Sequence, residues 1–119
     1  MGYYRAGFEV IGVDIKPQPH YPFEFHQADA LTFPLEGYDT YHASPPCQRY
    51  CPMSNKRETH PDLLKPIRER LLSTHKPWII ENVVGAPMRA DIVLCGSMFG
   101  LKVRRHRWFE ISFVMLKTQ

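Results

Sequence analysis

"PWIIENVVG", residues 77–85, is an apolar run broken only by Glu81 and Asn82. Its length and its Ile and Val content suit a strand, and the lack of alternation suits one covered on both faces. The two polar side chains then mark the strand's functional end. Glu81 there either faces solvent or is a partly desolvated carboxyl suited to hold a proton.

Working outward, "PDLLKPIRERLLSTH" (61–75) places Leu63, Leu64, Ile67 and Leu71 on one helical face. Pro66 removes a backbone donor, so the regular helix is expected to start near Leu64. Upstream, "FEVIGVDI" (8–15) reads as a buried strand ending in Asp14. "FEFHQAD" (23–29) reads as an extended piece closing on Asp29, and "YDTYHAS" (38–44) as another leading to Ser44. "DIVLCGSMFG" (91–100) and "RWFEISFVML" (107–116) supply two further strand candidates. Strands separated by a helix or by crossover-length segments predict an α/β domain with a largely parallel sheet. Such sheets bind ligands beyond the carboxyl ends of their strands, where Asp14, Asp29, Cys47 and Glu81 all fall.

A chain of 119 residues with 44% hydrophobic residues and no repeat suits one domain, 1–119, with one core. The net charge of +3 gives only weak support to a polyanionic partner. No apolar run reaches the length of a membrane span and no leader pattern opens the chain, so a cytoplasmic protein is expected. Cys47, Cys51 and Cys95 contain no Cys-x-x-Cys pair, which argues for reduced thiols. Cys47, Cys51, His42 and His60 match no common finger spacing, and no metal is expected.

Cys47 follows Pro45 and Pro46 and precedes Gln48 and Arg49. Prolines restrict the backbone ahead of the thiol, and neighbouring positive charge favours the thiolate. Asp14 and Asp29 read as turn-initiating aspartates or as acceptors for a ribose hydroxyl pair. In "KVRRHRW" (102–108), strand alternation would put Arg105 and Arg107 on one face.

Taken together, "SPPCQ" (44–48), "ENV" (81–83) and "RHR" (105–107), in this order, resemble the central motifs of the DNA cytosine-5 methyltransferases. "AGFEVIGVDI" (6–15) and "QADAL" (27–31) resemble the same family's methyl-donor segments. The resemblance implies a Rossmann-like methyltransferase fold with S-adenosylmethionine as co-substrate, DNA as partner and a setting such as restriction-modification. It implies Cys47 as the nucleophile, with Glu81 and Arg105 acting on a cytosine swung out of the duplex. Asp14 with Ile15, Asp29 with Ala30, and Pro46 would hold the donor. Gln48, Asn82, Arg105 and Arg107 would serve the DNA side, with Asn82 orienting the cysteine loop. The family's Gly-rich opening turn and its target-recognition region have no counterpart between "MGYYRAGF" and "FVMLKTQ". An incomplete catalytic core is therefore expected, either paired with itself or a complementing methyltransferase chain, or reduced to a non-catalytic DNA-binding remnant or regulatory subunit.

Overall fold

A computed structural model describes residues 2–46, 62–102 and 105–113. The protein is mixed α/β, and it divides into two compact units, Met1–Leu35 and Glu36–Gln119.

The first unit opens with a short helix α1 (Gly2–Arg5), which the sequence pattern did not signal. Strands β1 (Ile11–Asp14) and β2 (Glu24–Gln27) follow and pair in parallel, Ile11 opposite Glu24 and Asp14 opposite Gln27. The buried strand expected over 8–15 is shorter, and its residues are only half-buried. A two-stranded ribbon leaves too little neighbouring surface to cover both faces. Aromatic rings do much of the covering instead: Tyr21 meets Phe23 and Phe25, each at a centroid distance of 5.7 Å. Burial pushes the Tyr21 hydroxyl pKa up.

Tyr21 also explains why Gly12 carries no side chain. A Cβ at Gly12 would stand 2.6 Å from Tyr21 Cζ and 2.7 Å from Cε1, inside van der Waals contact. Gly12→Ala is expected to cost about 1–3 kcal/mol by displacing that ring. In a Tyr21→Ala background the same change should cost much less, and thermal unfolding of the four variants in a double-mutant cycle reads the difference. Equal costs in both backgrounds would remove the proposed contact.

The second unit holds β3 (Tyr41–Ala43), α2 (Leu64–Ser73), β4 (Trp78–Val83), β5 (Ile92–Cys95) and β6 (His106–Ile111), the strands ordered β3-β4-β6-β5. Helix α2 begins at Leu64 as the pattern predicts, and Leu64, Ile67 and Leu71 are its buried face, while Leu63, read as part of that face, precedes the helix and is only half-buried. Pro66 is the helix's third residue, in the first turn, where its missing N–H has no intrahelical acceptor to lose.

The largely parallel sheet is corrected here. Strand β3 runs parallel to β4, but β6 lies antiparallel to both β4 and β5. Residues 96–105 between β5 and β6 are too few for a parallel crossover, which takes about a dozen or more, so the chain can only double back. The two-sided burial expected for residues 77–85 is corrected too. Trp78, Ile80 and Asn82 are buried, while Ile79, Glu81 and Val83 on the opposite face are half-exposed. Gly85 then takes φ 91° in the turn that Ala86 N closes onto Val83 O, a conformation that side chains resist.

Glu110, opposite Ile80 on the buried face, is 2% exposed and ties three segments together. Arg68 of α2 donates Nε to Glu110 Oε2 at 2.7 Å and Nη2 to Oε1 at 3.1 Å. The backbone N–H of Arg89 donates to Oε1 at 2.9 Å, and Arg68 Nη2 also reaches Pro87 O at 3.0 Å. One carboxylate thereby pins the helix and the segment entering β5 to β6. Nearby, Ile111 N–H donates to Asp91 Oδ2 at 2.9 Å, and with the Arg89 guanidinium it holds the Asp91 carboxyl below its usual range. That contribution to stability is present above the unfolded carboxyl pKa and is lost as pH falls through the depressed folded value. Cys95, buried at the end of β5, accepts the Ser97 hydroxyl at 3.1 Å, a bond that lowers its thiol pKa.

Candidate active site

The half-exposed face of the four-stranded sheet carries the clearest constellation. Alternation along β4 puts Glu81 on the face opposite Trp78, Ile80 and Asn82. The β3–β4 register sets His42 opposite Ile79, so His42 and Ser44 share the face of Glu81, with Ser44 beside it. Across the other neighbour, Glu81 faces Phe109, and Arg107 stands diagonally from it opposite Val83.

These positions bring four polar side chains together. Ser44 Oγ donates to Glu81 Oε2 at 3.2 Å, and His42 Nε2 lies 3.2 Å from Ser44 Oγ and 3.6 Å from Glu81 Oε2. Arg107 Nε lies 3.8 Å from the other carboxylate oxygen, Oε1. The side chains of His42, Glu81 and Arg107 retain 29%, 30% and 31% exposure, so the cluster is open to solvent and to a ligand. It is no hydrolase triad, although it contains Ser, His and Glu. In a triad the acid orients the imidazole through the nitrogen remote from the serine. Here Ser44 and Glu81 both approach Nε2.

On the buried face, Asn82 is 2% exposed and donates Nδ2 to Pro45 O at 3.2 Å, across 37 residues of sequence. Its Oδ1 accepts its neighbour Val83 N–H at 2.8 Å, which fixes the amide's orientation. Asn82 thus holds the buried Pro45 at the end of β3, two residues ahead of Cys47. Pro46 is exposed. Cys47 and Gln48 lie outside the described residues.

Of the two arginines read as sharing a face, the structure brings Arg107 to Glu81. Arg105 precedes β6, is exposed, and accepts Gly96 N–H on its backbone carbonyl at 3.3 Å.

In the first unit, Asp14 and Asp29 fall at the same carboxyl end of the β1–β2 pair, where Ala28 N–H bonds Asp14 O at 3.0 Å. Each caps its own turn: Asp14 Oδ1 accepts Lys16 N–H and Asp29 Oδ1 accepts Leu31 N–H, both at 2.9 Å. A carboxylate offers about four acceptor positions, so turn capping leaves both able to take hydroxyl or amine donors. Asp14 Oδ2 has in addition a long contact of 3.4 Å from Gln18 Nε2. Ile15 and Ala30, beside them, are exposed.

Sequence reasoning weighed His42 only as a zinc ligand and gave Ser44 no role in the site. The alternation of "HAS" places both on one face, but their meeting with Glu81 depends on the β3–β4 register, which no local pattern encodes. Among the described residues, no group of three His, Cys, Asp or Glu side chains is placed to hold a metal ion, and no helix is long and apolar enough to cross a membrane. Comparison of the chain with protein-family models, with curated proteins and with solved structures gives no match.

Proposed function

We propose that the protein is the catalytic core of an S-adenosylmethionine-dependent DNA cytosine-5 methyltransferase, with an incomplete Rossmann-like fold. The observation that carries the reading is the hydrogen bond from Asn82 to Pro45 O, which joins the "SPPCQ" and "ENV" stretches and sets Glu81 beside Ser44. The parallel pairs β1–β2 and β3–β4 support it further, because they place Asp14 and Asp29, and separately Ser44 and Glu81, at strand carboxyl ends.

On this reading the Cys47 thiolate adds to carbon 6 of a cytosine swung out of the duplex. Glu81 hydrogen-bonds ring nitrogen 3 and the exocyclic amine, stabilising the charge that makes carbon 5 nucleophilic. Arg107, beside Glu81 Oε1, holds that carboxyl in place and offers donors to the base or its phosphate. Asn82 keeps the proline turn ahead of Cys47 in one position. The methyl group would pass from the sulfonium sulfur of S-adenosylmethionine to carbon 5, leaving S-adenosylhomocysteine, and the carboxylates of Asp14 and Asp29 would hold the donor's ribose and adenine amine. Loss of the carbon 5 proton and expulsion of the thiol then release 5-methylcytosine.

Incubation with labelled S-adenosylmethionine and a cytosine-containing duplex tests the proposal. The wild-type chain is expected to label the duplex, and Cys47→Ser to fall to background. No transfer by wild type would remove this chain as an independent enzyme. Salt-dependent duplex binding that survives Cys47→Ala and weakens in Arg107→Ala would then identify a binding remnant.

A further inference from the structure

We propose that His42 is the proton reservoir of Glu81, connected to it through the Ser44 hydroxyl. The proposal rests on the reading above, in which Glu81 hydrogen-bonds a ring nitrogen, and it adds a positioning residue for which no motif accounts. To donate to that nitrogen, Glu81 must carry a proton, whereas an ordinary glutamate is almost wholly ionised at neutral pH.

The two carboxylate oxygens of Glu81 have different neighbours. Oε1 faces Arg107, whose guanidinium stays protonated and exchanges nothing. Oε2 faces Ser44 Oγ and His42 Nε2, which converge on it at 3.2 and 3.6 Å. From β3 the titratable group facing Glu81 is His42; from β6 the charged group is Arg107, with Arg105 just outside that strand. Of these, only imidazole both takes up and releases a proton near neutral pH. A hydroxyl accepts and donates at once, so Ser44 passes a proton without net change.

The transfer balances as follows. The Nε2–H bond of the His42 imidazolium breaks as a new bond forms to Ser44 Oγ. The original Ser44 O–H proton moves to Glu81 Oε2, and His42 is left neutral. An incoming ring nitrogen draws the transferred proton onto Glu81. His42 is reprotonated from solvent, to which its side chain is 29% exposed.

The pH profile of methyl transfer separates this role from a structural one. His42→Gln is expected to lower the rate about tenfold at about pH 6, where an imidazolium is available to give up its proton, and much less at about pH 8, where an imidazole is mostly neutral and the relay is empty in the wild type too. Ser44→Ala should follow the same trend, and Ser44→Thr, which keeps the hydroxyl, should restore the wild-type profile. In the free protein, the imidazole nitrogen resonances of His42 should move in Glu81→Gln and in Ser44→Ala. A His42→Gln profile parallel to wild type overturns the proposal and leaves the methyltransferase reading standing. Unmoved His42 resonances overturn it without reference to activity. No transfer by wild type sinks the methyltransferase reading and this inference with it.

Discussion

Glu110→Ala is expected to lower the stability of the second unit by about 3–5 kcal/mol. The cost arises less from the attraction lost than from what remains. With the carboxylate gone, the guanidinium of Arg68, 26% exposed, keeps its charge against a buried neighbourhood, and Arg89 N–H loses its acceptor. Among the described residues, Arg68 would retain only Pro87 O as a hydrogen-bond partner at this junction. Replacing both partners by apolar residues, as in Arg68→Leu with Glu110→Leu, should recover a substantial part of the loss, because a paired buried charge is costly to desolvate in the first place. Urea unfolding of the wild type, the two single variants and the pair measures these terms. A cost below about 1 kcal/mol for Glu110→Ala would mean that the pair is solvated in solution and pins nothing.

On the proposed methyltransferase reading, Glu81→Gln should reduce methyl transfer by about 100- to 1000-fold while changing duplex affinity little. The amide is nearly isosteric, so Ser44 and Arg107 keep a neighbour of the same shape. What is lost is a group that can hold a proton and share it with a ring nitrogen as charge develops there. Such an interaction strengthens toward the transition state, so the loss belongs in kcat rather than KM. Steady-state kinetics on a single-site duplex distinguishes the two. A loss confined to KM would make Glu81 a binding residue and would remove it from the chemistry.

The two residues differ in how far a sequence reader could anticipate them. Glu81 stands out because it interrupts an apolar run at the end of a strand, a local contrast visible in nine letters. Glu110 sits in "RWFEISF", where strand alternation alone leaves open which face the acid takes. Its burial follows from Arg68 lying across from it, 42 residues away in sequence. The same distinction holds for the arginines of "RHR". Alternation allies Arg105 with Arg107, but β6 starts at His106, and only Arg107 is held at the position diagonal to Glu81.

The amino-acid sequence by itself determined the presence of α2 and of most strands, though neither α1 nor the full bounds of β1. The start of α2 at Leu64, the burial of Leu64, Ile67 and Leu71, and the strand end at Asp14 follow from side-chain periodicity and from prolines, which act over one or two turns of chain. It also displayed the residue types capable of chemistry. The tertiary structure alone decided strand order, the antiparallel placement of β6 and the register that sets Ser44 beside Glu81 and Asn82 against Pro45. Those outcomes depend on loop closure and on packing between distant segments. A one-residue slip of β3 against β4 would leave every local preference satisfied and turn His42 and Ser44 away from Glu81.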